Sequence, residues 1–143
     1  MTDKPAERPL EIQPETAHEL MRLGLGVLVD VRQTFELEVE GEVEGAENIP
    51  LFNFMQGLGH RLSAEEQELL DADEPSAKDI VSFLAAINRH HYQGDNVMLC
   101  LCNSGRRSLH AVQLLRSINY DRCFSVAGGV RAWREKFPRT DQD

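Results

Sequence analysis

Cysteine is scarce in this sequence: Cys100, Cys102 and Cys123 are its only three. So few, and an odd number, exclude the disulfide framework of a small secreted domain. No apolar run approaches the roughly 20 residues that cross a bilayer. The opening MTDKPAERPLEIQPE also lacks the apolar core of a signal peptide. These absences point to a soluble, cytoplasmic protein with no membrane partner. An excess of positive charge is missing too, the formal net charge being −9. Duplex binding draws most of its affinity from phosphate neutralisation, so nucleic acid is excluded as a partner. Repeats and low-complexity runs are absent.

What is present fits one domain with its own core. The chain has 143 residues, 41% of them hydrophobic, a size and share that need no disulfide or metal to fold. Polar tails at 1–8 and 139–143 are expected to be flexible, leaving a domain over 9–138. Charge is segregated along it. From Glu36 to Asp79 thirteen acids face only Arg61 and Lys78. From Cys102 to Lys136 seven basic residues, among them Arg106, Arg107, Arg116 and Arg122, face only Asp121 and Glu135. A basic second half on an acidic chain points to a local anion site.

Helical and strand patterns alternate between the tails. Pro14-Glu15 opens a helix that Gly24 closes. Val27 to Val31 reads as a buried strand, and Phe35 to Val39 as a short helix followed by a loop through Gly45-Ala46 to Ile49-Pro50. Leu51 to Leu62 is helix or loop. Ser63 and Glu66 form a capping box for a helix over Ala64 to Leu70. Ser76 and Asp79 repeat the signal ahead of the stripe Ile80, Phe83, Leu84, Ile87, and His90-His91 close that helix. Val97 to Leu101 and Cys123 to Val126 are further apolar strands. Between them runs a helix burying Ala111, Val112, Leu114, Leu115 and Ile118. Gly128-Gly129 reads as a turn before a last helix, Val130 to Lys136, where Trp133 and Phe137 pack one turn apart. Leu10-Glu11-Ile12 adds an edge strand. Such alternation predicts an α/β fold around a parallel sheet.

The chemistry is concentrated in one segment, Cys102-Asn103-Ser104-Gly105-Arg106-Arg107-Ser108, where a buried strand passes through a short polar loop into a helix. Ligands of open parallel sheets bind at the carboxyl ends of strands. Loop amides and the first amides of the following helix can converge there on one anion. Cys102 directly follows the strand, so its sulfur sits at that focus. Amides, a helix N-terminus and the arginines Arg106 and Arg107 favour a thiolate, which is the nucleophilic form. The arginines would also attract an anionic donor, and Gly105 permits the tight turn. No general base, metal or cofactor is called for.

This loop resembles the C-x-x-G-x-R-S active-site loop of rhodanese-like domains. The resemblance extends along the chain. Leu28-Val29-Asp30-Val31-Arg32 with Glu36, Gly41 and Gly45-Ala46-Glu47-Asn48-Ile49-Pro50 is similar to the family's first signature. Val126-Ala127-Gly128-Gly129-Val130-Arg131-Ala132-Trp133 is similar to its last. The resemblance implies a five-stranded, mostly parallel sheet flanked by helices on both faces, and a thiosulfate sulfurtransferase-like activity. Cys102 would take sulfane sulfur from a small anionic donor such as thiosulfate and hold it as a persulfide. A thiol, cyanide or a sulfur-acceptor protein would then remove it. Asn103, Ser104, Gly105, Arg106, Arg107 and Ser108 would bind the substrate sulfur, with Asp30 and Arg32 as structural or near-site groups. Two departures stand out: Glu42-Val43-Glu44 replaces the family's usual histidine-isoleucine-proline, and Leu51 to Asn96 is long.

Three rivals compete. A cysteine phosphatase or arsenate reductase needs C-x5-R, but that position is Ser108 here, and the smaller ring suits one sulfur atom. A non-catalytic rhodanese-like binding module would typically lack the cysteine that this loop retains. A sulfur-relay carrier loaded by a partner protein stays open. Elsewhere the plain readings hold: Cys100 and Cys123 as core residues, Cys100 as a partner resolving the persulfide being the alternative. His110 is assigned to surface or packing. The acids from Glu36 to Glu47 form a solvated face, with docking of a basic partner the alternative.

Overall fold

A computed structural model describes residues 9–52, 60–89 and 96–138. The two tails, most of 51–62 and the His90-His91 helix end fall wholly or largely outside those residues. The chain opens with β1 (Glu11–Ile12), α1 (Pro14–Arg22), β2 (Gly26–Asp30), α2 (Thr34–Glu40) and β3 (Ala46–Asn48). Two helices follow, α3 (Ala64–Ala72) and α4 (Ala77–Arg89), before β4 (Val97–Leu101). α5 (Arg106–Ser117), β5 (Cys123–Val126) and α6 (Gly129–Lys136) complete it.

Local signals set the helix starts. Pro14 fills the first turn of α1, where its missing N–H costs nothing. Ser63 Oγ accepts from the Glu66 amide at 3.2 Å while Glu66 accepts from the Ser63 amide at 2.9 Å, the reciprocal capping the sequence predicts. Ser76 and Asp79 do the same for α4, at 2.8 and 3.1 Å.

The five strands pair in the order β1-β5-β4-β2-β3, every pair parallel. Side-chain alternation splits the core between the two faces. Val29, Met98 and Cys100 pack with Phe83 and Ile87 of α4 and Ala111, Val112 and Leu115 of α5. Leu28, Leu99 and Leu101 pack on the other face with Ala17 of α1 and Val130 and Trp133 of α6. The predicted layering, with helices on both faces, is therefore the observed one. Each fully buried Leu or Phe side chain contributes roughly 1.5–3 kcal/mol.

Two expectations are corrected. Ala46 to Asn48 is a strand instead of loop: it borders β2 in the register Leu28↔Ala46 to Asp30↔Asn48. Asn48 Nδ2 ties it down by donating to the carbonyls of Asp30 and Arg32 at 3.0 and 2.9 Å. Ile118 lies past the end of α5 and is 52% exposed, because the chain turns away there towards Asn119 at φ 68.

The strand order also locates the site. β4 leads through α5 to β5 on one side, whereas its neighbour β2 leads through α2 to β3 on the other. Connections diverging from adjacent parallel strands open a crevice at their carboxyl ends. Val31 N, just past β2, donates to Leu101 O, the last residue of β4, at 2.8 Å and holds the two ends together.

Candidate active site

At the head of β4 the chain folds back over its own next residue. Gly105 caps α5 with φ 102, a left-handed conformation that a side chain disfavours. That turn directs the Gly105 amide at Cys102 Sγ, 3.0 Å away. The Ser108 amide, in the first turn of α5, donates to the same sulfur at 3.4 Å, and Ser108 Oγ lies 3.5 Å from it. Cys102 itself is fully buried. Its sulfur therefore points into the crook, where amides and the positive end of a twelve-residue helix converge. Of the loop residues expected to bind sulfur, Gly105 and Ser108 are those bonded to Sγ among the described residues.

A second layer fixes those donors. Ser108 Oγ is 2.6 Å from Ser125 Oγ of β5 and donates to Gly105 O at 3.2 Å. α6 closes the crook from behind: Val130 N donates to Cys102 O at 2.7 Å and Arg131 N to Asn103 O at 3.4 Å. Gly129 makes that approach possible. A Cβ built there would stand 2.3 Å from Cys102 O and 2.5 Å from Asn103 O. The expected turn at Gly128-Gly129 is thus also the start of α6, pressed on the loop backbone.

The two arginines part company. Arg106 is exposed and its Nη1 donates to Glu68 of α3 at 2.7 Å. Arg107 is fully buried. Its Nη1 and Nη2 donate to the two oxygens of Glu36 at 2.7 and 2.9 Å, and its Nε to Asp71 Oδ1 at 3.0 Å. Burial by itself would lower the affinity of that guanidinium for its proton. The bonds and charge of Glu36, with the charges of Cys102 and Asp71, outweigh burial and hold it above its ordinary value. Arg107 is therefore a fixed cation whose donors are committed to carboxylates.

Glu36 belongs to the first signature but carried no role in the sequence, and Asp71 was not singled out there. Glu36 is 1% exposed, which corrects the assignment of that run to a solvated face at this residue. It caps α2 by accepting from the Gln33 amide at 2.8 Å and serves Arg107 with the same carboxylate. Asp71 Oδ2 accepts from Ser104 Oγ at 2.9 Å, and Oδ1 from Gln67 Nε2 at 3.1 Å. The signals available were the place of Glu36 in the first signature and the spacing of Gln67 and Asp71, which share one face of α3 at i, i+4.

Asp30 and Arg32 lie at the head of β2. Both are fully buried, with Arg32 Nη2 donating to Asp30 Oδ2 at 2.8 Å and to Gly41 O at 3.1 Å. They brace the link from α2 to β3. Asn103 is 8% exposed, and His110 is half-buried on α5. Cys100 and Cys123 are fully buried free cysteines. Burial, with Cys123 and Cys102 nearby, pushes the Cys100 thiol well above its ordinary range, leaving it a neutral core residue. Among the described residues no helix is long and apolar enough to cross a membrane.

Comparisons with known proteins bear on the fold and the family. A human thiosulfate:glutathione sulfurtransferase is 32% identical over 117 residues, covering 82% of this chain and 86% of the relative. The structure of a human single-domain sulfurtransferase aligns with a TM-score of 0.59 at 28% identity, over 90% of this chain and 98% of that one. A single-domain sulfurtransferase of Saccharomyces cerevisiae shares the fold, with a TM-score of 0.53 at 19% identity over 94% and 95% of the two chains. Since the model of the rhodanese-like domain matches residues 13–136, nearly everything between the tails, the chain belongs to the rhodanese-like domain family.

Proposed function

We propose that this protein is a sulfurtransferase that carries sulfane sulfur as a persulfide on Cys102, with thiosulfate as a competent donor. The observation that carries the reading is the pair of amides, Gly105 and Ser108, aimed at Sγ from the N-terminal turn of α5. Amide donors at a helix N-terminus stabilise a sulfur anion without a base. The human relative, named as a thiosulfate:glutathione sulfurtransferase, supports a thiosulfate donor and a thiol acceptor.

In the first step the Cys102 thiolate attacks the outer sulfur of thiosulfate. The S–S bond breaks, sulfite departs with the electron pair, and Cys102 becomes a persulfide anion. The charge stays on the terminal sulfur, within reach of the same donors, so the loop serves both states. In the second step an acceptor attacks that terminal sulfur and the Cys102 thiolate leaves. A thiolate yields a new persulfide, cyanide yields thiocyanate, and a sulfur-acceptor protein takes the sulfur on its own thiol. We assign donor contact to Asn103, Ser104 and Arg106, beside Cys102 in the loop, while Arg107 holds the crook in shape through Glu36 and Asp71.

Turnover of thiosulfate with a thiol or cyanide acceptor tests this. Cys102→Ser is expected to abolish it and Cys100→Ser to retain most of it. Equal loss in two folded variants would reassign the nucleophile. Loading from a cysteine desulfurase but not from thiosulfate would mark the chain as a relay carrier.

A further inference from the structure

Helix α3 belongs to the long segment between β3 and β4, and its polar side faces the reactive loop. Gln67 and Asp71 are buried, whereas Leu69 is 71% exposed. Leu70 of the same helix packs against the core, so α3 buries a polar strip beside its apolar one. The polar burial follows from what α3 covers: Ser104 and Arg107 bond to Asp71, and Arg106 bonds to Glu68. With Glu36 on Arg107, the loop's two guanidiniums meet three carboxylates. The charged side chains joined around the crook therefore sum to −1 before the thiolate is counted. Arg107 is buried with Nε, Nη1 and Nη2 all given to carboxylates, and Arg106, half-exposed, gives Nη1 to Glu68.

From this we infer that α3 tunes the charge of the donor this site accepts. Glu68 and Asp71 neutralise the loop arginines, so the entrance to Cys102 favours sulfane donors with one negative charge over dianionic thiosulfate. The inference rests on the sulfurtransferase reading and sharpens its substrate class. The reaction is the same for either class. With an alkanethiosulfonate, R–SO2–S−, the Cys102 thiolate takes the outer sulfur, the S–S bond breaks, and the sulfinate R–SO2− leaves with the electron pair. Charge balances, two negative charges entering and two leaving. Thiosulfate carries a second charge on its departing group, and comparing variant with wild type for each donor cancels the difference in leaving-group chemistry.

Glu68 is the residue to change, because it is 69% exposed and its loss leaves the buried network intact. In Glu68→Gln, Arg106 is released and the approaching donor meets one more positive charge. The energy of a point charge in a field scales with that charge. At the separations and dielectric of a protein surface the thiosulfate kcat/KM should rise roughly three- to tenfold. The methanethiosulfonate kcat/KM should rise by only about the square root of that factor. The preference for the monoanion then shrinks about two- to threefold, and high salt removes the difference between wild type and variant. The measurement is kcat/KM for both donors, in wild type and Glu68→Gln, at low and high ionic strength. A donor ratio unmoved by the substitution, or one that moves without salt dependence, overturns the inference while leaving the sulfurtransferase reading standing. Failure of both donors to place sulfur on Cys102 of the wild type overturns both.

Discussion

Glu36→Gln removes one charge from a site that contains no water-exposed partner to replace it. Arg107 and Glu36 have side-chain exposures of 0% each, with Nη1 and Nη2 at 2.7 and 2.9 Å from the two carboxylate oxygens. Glutamine keeps one acceptor but turns an N–H group towards a guanidinium N–H, so one of the two bonds becomes a clash of donors. Breaking one side of a buried ion pair costs about 3–5 kcal/mol, against about 0–1 kcal/mol for an exposed pair. Asp71 stays on Nε at 3.0 Å, which places the expected loss near the lower bound, about 3 kcal/mol. At a urea slope of about 2 kcal/mol/M the unfolding midpoint should fall by about 1.5 M. Urea titration followed by tryptophan fluorescence reads this through Trp133, which packs against Phe137 at 4.9 Å. A shift below about 0.5 M would refute the reasoning, since it would place the pair in the range of exposed ones.

Three further outcomes follow from other parts of the structure. Gly129→Ala forces a Cβ to within 2.3 Å of Cys102 O at φ +64, and should cost about 3 kcal/mol and slow persulfide formation. Gly24→Ala, at φ +75 with nothing within 4 Å, should cost about 1 kcal/mol and leave the chemistry alone; equal effects in urea titrations would show that the loop contact is not the cause. Stability should also decline at alkaline pH. Burial raises the folded-state value of the Cys100 thiol, so its contribution is present below the unfolded value near 8.5 and is lost as pH rises above it. The slope from this one group is about −1.4 kcal/mol per pH unit above that point, and urea midpoints from pH 7.5 to 10 should flatten by that amount in Cys100→Ala. An unchanged slope contradicts the assignment.

Much of the fold was legible because the strands carry it. Val27 to Val31, Val97 to Leu101 and Cys123 to Val126 carry apolar residues towards both faces, Asp30 and Ser125 being the exceptions, as buried parallel strands do, and the capping residues Ser63 and Ser76 mark helix starts by chemistry of their own. β3 was not legible, since Ala46-Glu47-Asn48 has one small apolar residue and no β-branching; it exists because Asn48 and the edge of β2 satisfy it. Within the site, the loop from Cys102 to Ser108 announces itself by composition. Its supports do not. A glutamate or aspartate on a short helix belongs in water unless a buried cation demands it. Glu36 and Asp71 are buried only because Arg107, distant in sequence by 71 and 36 residues, lies between them. The same long-range demand buries Gln67 and Asp71 on α3 while Leu69 stays outside. Arg107 was expected to attract a donor; the structure gives it instead to the frame that shapes the loop.

Intact-mass analysis after exposure to thiosulfate, followed by peptide mapping without reductant, tests the central claim most directly. The account predicts one added sulfur per chain, roughly 32 Da, located on Cys102, removed by dithiothreitol and absent from Cys102→Ser. An unmodified chain, or a sulfur that maps to Cys100 or Cys123, would contradict it.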